Sequence, residues 1–174
     1  MLDAATVLFV DRGLHRTTMD MVSSRAGLSR EAVQQLYPIK RLLIADVTES
    51  LCRKAVDRIR RHQSRGLDHL ITTLSTWAYI GTTRPGWVRL CNEFASIDQP
   101  YAFDTNERRE RLRGALSQSL TNATNCASSR ADAIADFLLT VGIGLAAQKA
   151  DGADLQLAAI RRQVGFVVRG VHDA

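Results

Sequence analysis

The stretch TTMDMVSSRAGLSREAV, Thr17 to Val33, leaves a chain few choices. Thr17 followed three residues later by Asp20 has the form of a capping box, in which a hydroxyl and a carboxylate satisfy the first free amides of a helix. Thr18 is an equally good cap, and both remain open on the sequence. Met19, Val22 and Ala26 fall at i, i+3 and i+7, one apolar stripe of a helix. Gly27 follows, where a left-handed residue ends a helix at least strain. Ser29 caps the next helix, and Leu28 before it is placed to staple onto Val33. Two short helices joined this tightly around a glycine cross steeply, as in a helix-turn-helix.

The neighbouring residues extend this unit. Leu2 to Arg12 reads as an amphipathic helix closed by Gly13, with Leu2, Ala5, Leu8 and Phe9 turned toward the motif. Met19, Val22, Val33, Leu36 and Tyr37 are expected to complete a three-helix core. Pro38 stops the second helix of the motif and forces a bend before Lys40. These segments together, the LDAA…LF…RG first helix, the TT…A…GLS core and the aromatic-Pro-x-Lys exit, resemble the DNA-binding domain of the TetR (tetracycline-repressor-like) family over roughly Leu2 to Val47. Family members usually carry several residues, often basic, before the first helix, so the start at Met1 is expected to be short of a longer arm.

Composition agrees with one helical protein of moderate size. The chain has 174 residues, 45% hydrophobic and 24% charged with 3 Pro, enough for one substantial core and too few for several. Strand-like alternation is scarce, so an all-α fold is expected. A net charge of +5 permits an anionic partner without requiring one. The first 48 residues are close to charge-balanced, so any case for DNA rests on where residues sit. Cys52, Cys91 and Cys126 form neither a zinc set nor a disulfide framework, which fits a reducing cytoplasm. The longest apolar run, Phe137 to Ala147, is about half of what a bilayer needs, and no signal peptide precedes it. His15, His62, His69 and His172 are scattered, and no nucleophile elbow, phosphate-binding glycine loop or metal spacing occurs. Neither catalysis nor a cofactor is expected.

Beyond the motif, the periodicity predicts a long helix from about Ile39 to Arg61, with Leu43, Val47, Leu51, Ala55 and Ile59 along it. It would join a helix-turn-helix domain, residues 1–47, to a helical ligand-binding and dimerisation domain, residues 48–174. Further helices are expected at Leu67 to Thr83, Trp87 to Ser96 and Asn106 to Ala123, with an aromatic loop from Asp98 to Phe103. From Arg130 to Lys149, Ile134, Leu138, Val141 and Leu145 repeat at 4-3-4. From Leu155 to Val171, Leu157, Ile160, Val164, Val167 and Val171 repeat at 3-4-3-4. Both are seams of the kind that close helical bundles. Such seams serve a monomer's own core or a partner's. The resemblance favours the partner, because in this family the last two helices pair with their twins in a homodimer.

The resemblance also implies how double-stranded DNA would be read. The second helix of the motif enters the major groove while the first crosses the backbone, and its N-terminal turn favours phosphate. Arg30 and Gln35 stand where family members often meet bases; Arg can fork onto guanine O6 and N7, and Gln onto adenine N6 and N7. Thr18 and Lys40 match phosphate-holding positions, with Arg16 and Arg41 as additional cations. Ser29 is a cap first and a phosphate ligand second, and Ala32 completes the contact set. The family usually ends this helix Tyr-x-(Tyr/His)-Phe. Here Gln34-Gln35-Leu36-Tyr37 stands in its place, so Gln34 can still bond a phosphate and Leu36 cannot. Glu31 occupies a position where a small residue is common; it suits a helix N-terminus and opposes a polyanion unless it accepts from cytosine N4.

The family usually releases its operator when a small molecule occupies the larger domain, a population shift between two spacings of the reading helices. Trp77, Ile80, Trp87, Cys91, Phe94, Tyr101, Phe103 and Leu112 are the candidate walls of that pocket, with Asn92 or Glu93 as polar anchors; core packing explains each of them equally well. The basic run Arg53, Lys54, Arg58, Arg60, Arg61 and Arg65 is expected to be a solvated face. Arg108, Arg109, Arg111 and Arg113 alternate with Glu107 and Glu110 and can pair along their helix. The expected function is a ligand-responsive repressor binding a palindromic operator as a dimer. The alternative is a helical homodimeric ligand-binding module whose DNA binding is weakened or lost, as Leu36 and Glu31 would permit.

Overall fold

The computed structural model describes residues 1–61, 66–83, 105–150 and 153–172. Among these residues every regular element is a helix: α1 Leu2–Arg12, α2 Met19–Ala26, α3 Arg30–Leu36, α4 Lys40–Arg61, α5 Leu67–Thr83, α6 Thr105–Thr124, α7 Ser128–Ala150 and α8 Leu157–His172. The expected helix over Trp87 to Ser96 and the loop over Asp98 to Phe103 lie outside the described residues. No helix among the described residues is long and apolar enough to cross a membrane.

The buried side chains form two clusters. The first joins Ala5, Leu8, Phe9, Val10 and Leu14 to Val22 of α2 and to Leu43, Ile44 and Val47 of α4. Ala5, Phe9, Val22, Leu43 and Val47 are its least exposed members, and such burial is the main favourable contribution to folding. The second begins at Cys52 on α4 and takes in Val56, Ile59, Leu70, Leu74, Leu116, Leu120, Leu138, Ile160, Val164 and Val168. α4 therefore supplies a wall to both, through successive stretches of one helix.

Leu36 does not join the first core. It is 62% exposed. α3 is only two turns long, and Val33 alone is buried on it. Tyr37, leaving the helix at φ −133°, takes the inward place instead and packs against the cluster.

The seams on the last two helices also have partners within the chain. α6 packs on α7, and α5 packs on both α7 and α8, while α7 and α8 meet each other only briefly. Ile134, Leu138, Leu145, Ile160 and Val164 are accordingly buried in this chain's own second core, and Val141 and Val167 are half-buried against it. A side chain sealed in its own protomer cannot also meet a twin. Among the described side chains, the large apolar ones that these two helices leave exposed are Phe137, Leu157 and Phe166, the last 83% exposed. The side chain of Val171 lies outside the described residues. On α8 the inward series is Ile160, Val164 and Val168, so Val168 belongs to the core where the heptad pointed to Val167.

Candidate nucleic-acid interface

The second core faces away from the helix-turn-helix, whose own outer surface is built from caps and turns. Thr18 caps α2: its backbone is extended and its hydroxyl accepts from the Met21 amide at 3.2 Å. Thr17 has another task. It is buried, and its hydroxyl lies 2.8 Å from the Gly13 carbonyl and 3.2 Å from that of Leu8. α2 ends at Gly27 in the left-handed region, φ 66°, with the Gly27 and Leu28 amides donating to Ser24 and Ser23 carbonyls. Ser29 then caps α3, accepting from the Ala32 amide at 3.1 Å. Leu28 is 40% exposed.

α3 lies outermost. Arg30, Glu31, Gln34 and Gln35 are exposed and Ala32 is half-buried. Over two turns these positions form adjacent rows, Arg30 with Gln34, Glu31 with Gln35, and Ala32 with Leu36, each four residues apart. Arg30 is not unattended: its Nε lies 3.2 Å from Asp20 Oδ1 at the start of α2. Glu31 turns back on its own helix. Its carboxyl is held below the ordinary value of 4.5 by a hydrogen bond from its own amide and then by one from the Ser29 hydroxyl. The carboxylate therefore stays ionised, folded back on the start of its own helix.

Lys40 has a partner within the chain. Its ammonium donates to the carbonyl of Leu14, in the connection between α1 and α2. It ties the start of α4 to that connection. Tyr37 makes a matching tie on the other side, donating to Asp46 Oδ2 at 2.6 Å. Its phenol is pushed up to about 12, by burial first and then by the Asp46 hydrogen bond and charge. Together the two bonds fix how α3 projects from α4. Beside them, Arg12 and Arg25 border a shallow open groove between α1 and α2, also lined by Leu8, Asp20, Met21 and Ser24.

Further along, α4 is clamped to α6. Arg111 forks onto Glu49 with contacts of 2.8 and 2.5 Å, and Arg108 Nε stands 3.5 Å from the same carboxylate. The Glu49 carboxyl is held down by the Arg111 hydrogen bond. Of the α6 arginines, Arg113 pairs along its own helix with Glu110 and also reaches Asp132, and Arg109 reaches Asp136. Arg53, Lys54, Arg58, Arg60 and Arg61 are exposed, with Lys54 paired to Asp3. Of the candidate pocket walls, Leu112 packs half-buried against the second core. Trp87, Cys91, Asn92, Glu93, Phe94, Tyr101 and Phe103 lie outside the described residues, as do the side chains of Trp77 and Ile80. Sequence reasoning missed Asp20, Asp46 and Glu49 as partners of Arg30, Tyr37 and Arg111. The signal available for the first was an acid and a base opening consecutive helices of a tight turn.

A steeply crossed helix pair with an exposed second helix, carried on a three-helix unit that continues through one long helix into an all-helical body, is the architecture of a helix-turn-helix protein. Residues 1–47 match the model of the bacterial regulatory proteins of the tetR family. The whole chain superposes on a transcriptional regulator from Rhodococcus sp. Rha1 with TM-score 0.76 and 21% identity, covering 98% of this chain and 95% of that one. A TetR-like regulator from Rhodococcus sp. RHA1 gives TM-score 0.68 at 21% identity over 99% and 94% of the two chains. The SmeT–triclosan complex gives 0.65 at 16% over 98% and 87%. No curated protein matches the chain. The first 47 residues thus match the tetR-family model, and the chain shares the fold of these solved regulators.

Proposed function

We propose that this regulator is a ligand-responsive repressor that binds a palindromic operator as a homodimer and leaves it when a small apolar or amphipathic effector binds residues 48–174. The observation that carries the reading is the outward face of α3, where Arg30, Gln34 and Gln35 stand exposed on a helix whose only buried side chain is Val33. Those side chains offer the paired donors and acceptors that read guanine and adenine edges in the major groove. Thr18 keeps its hydroxyl proton to donate to phosphate while its oxygen caps α2; the Ser29 oxygen caps α3 and its proton is engaged by Glu31. Lys40 contributes charge near the backbone while serving as a tie. The division between residues 1–47 and 48–174 is supported by the change of buried cluster between Val47 and Cys52.

Dimerisation is supported by what α7 and α8 leave uncovered. Phe137 and Phe166 are exposed aromatic side chains on the outer faces of these helices. Ala133, Thr140 and Gly144 continue the α7 face, and Gln163 and Gly170 continue that of α8. A second copy laying the same faces against them removes both rings from water and spaces two α3 helices about one turn of duplex apart, roughly 34 Å. Effector control is supported by the Glu49–Arg111 clamp, through which a movement of α6 reaches α4, and by the shared fold with the SmeT–triclosan complex.

Selection of bound sequences from a random duplex pool, repeated with Arg30→Ala, tests the reading. The wild type enriches a two-fold symmetric site and the variant loses one base preference in each half. Phe166→Glu abolishes the dimer in sedimentation and binds single half-sites only. A second reading, a ligand-binding dimer with weakened DNA binding, has Leu36 in its favour, since 62% of a side chain without donors faces outward at the end of α3. Enrichment of no sequence, with a flat response to salt, establishes that reading in place of the first.

A further inference from the structure

The contact between Asp20 and Arg30 joins the first turn of α2 to the first turn of α3 on the outer surface of the motif. The carboxylate Oδ1 lies 3.2 Å from Nε. A guanidinium has two donor edges, one formed by Nε with a terminal nitrogen and one formed by the two terminal nitrogens. Asp20 takes the first. The second remains, and a forked pair of donors is what guanine O6 and N7 accept.

The pair contributes little to folding, because the two side chains are 70% and 59% exposed. The helix starts are already capped by Thr18 and Ser29, and the core beneath is apolar. Toward DNA a carboxylate here is a disadvantage for affinity, since it opposes the phosphate attraction that drives sequence-independent binding. Glu31, the nearest other acid in sequence, is engaged by its own amide and the Ser29 hydroxyl. The effect left to Asp20 is to fix where Arg30 points.

We propose that Asp20 is a positioning residue for base recognition: it holds the Nε edge of Arg30 so that the terminal nitrogens meet a guanine, lowering general DNA affinity and raising discrimination at that base pair. The proposal rests on α3 being the base-reading helix. Freed of Asp20, a long and flexible arginine turns to the nearest phosphate, where its charge adds affinity on any sequence.

The test uses the duplex enriched by the wild-type protein, altered at the base pair whose preference Arg30→Ala relaxes. Guanine there is replaced by adenine or by 7-deazaguanine, which lacks the N7 acceptor. The wild type discriminates by roughly 5- to 150-fold. Asp20→Ala brings this within about 3-fold, while its affinity for random duplex rises and its log–log salt slope steepens by about 0.9. Asp20→Glu restores discrimination in part. Undiminished discrimination in Asp20→Ala overturns the assignment, as does a fall in random-duplex affinity parallel to the specific one, which marks a merely structural role. A wild-type protein that enriches no sequence overturns the DNA-binding reading itself, and the assignment with it.

Discussion

Replacing Thr17 by Val separates the hydroxyl's contribution from that of the side chain's shape. Thr17 is 1% exposed, and its one proton is shared between the Gly13 carbonyl at 2.8 Å and the Leu8 carbonyl at 3.2 Å. Leu8 lies inside α1, where its carbonyl also serves the helix ladder; Gly13 lies beyond the helix end at φ 84°, so its carbonyl is the one that depends on Thr17. Val keeps the volume and removes the donor. A net hydrogen bond contributes about 1 kcal/mol, and a buried carbonyl left without its donor costs about 1–3 kcal/mol, offset in part by the added apolar methyl. The expected destabilisation of Thr17→Val is about 1–2 kcal/mol. Thr17→Ser keeps the donor and loses a methyl, costing about 1 kcal/mol, and Thr17→Ala loses both, costing about 2–3 kcal/mol. Urea unfolding followed by circular dichroism reads the series, with unchanged denaturant slopes. A Thr17→Val protein as stable as wild type, with Ala no worse than Ser, refutes the hydroxyl's role and returns Thr17 to being a space-filler.

Two further outcomes follow from the ties on α4. The Tyr37 phenol ionises near pH 12, so a titration at 295 nm shows a late-ionising tyrosine that disappears in Tyr37→Phe; because the folded value lies above the ordinary 10.0, the stability it lends is complete below pH 10 and is lost as pH rises through about 12. Glu49 is held below its ordinary 4.5 by Arg111, so the stability it lends is present above pH 4.5 and is lost as pH falls through the folded value; wild type and Glu49→Gln therefore differ in urea midpoint at pH 7 and converge as pH falls below that value.

What the sequence made legible was set by local rules. The stripe Met19, Val22 and Ala26, the glycine at the turn and the serine cap are decided within a few residues, and the helices stand where those signals put them; α5 runs from Leu67 to Thr83 as its flanking breaks require. Choices between neighbours were less accessible. Thr17 and Thr18 both satisfy the capping rule, and only the packing of α1 against α2 decides that Thr17 turns inward. Leu36 carries an apolar side chain at a position that a longer helix would bury, but α3 ends there and Tyr37 fills the space. The heptads on α7 and α8 recorded burial without naming the partner. α5 and α6 take Ile134, Leu138, Ile160 and Val164, and the seam proposed for a twin lies on the other side, at Phe137 and Phe166. Ion pairs such as Glu49 with Arg111 join residues 62 apart in sequence, a relation no local pattern encodes.

The same ties show how one helix could carry a signal. α4 is fixed near its start by Lys40 to the Leu14 carbonyl and by Asp46 to Tyr37, at its middle by Glu49 to Arg111 of α6, and further on by Lys54 to Asp3 of α1. Three of these four join it to the domain that bears α3, and one joins it to the body. On the proposed reading, a displacement of α6 reaches α4 through the Glu49–Arg111 pair and the packing of α6 on α4, and a ligand acts on α3 through a difference in its affinity for two positions of α6. Loosening Tyr37 or Lys40 would then uncouple reading from sensing, whereas loosening Glu49 would change the balance between the two positions and leave the reading surface intact.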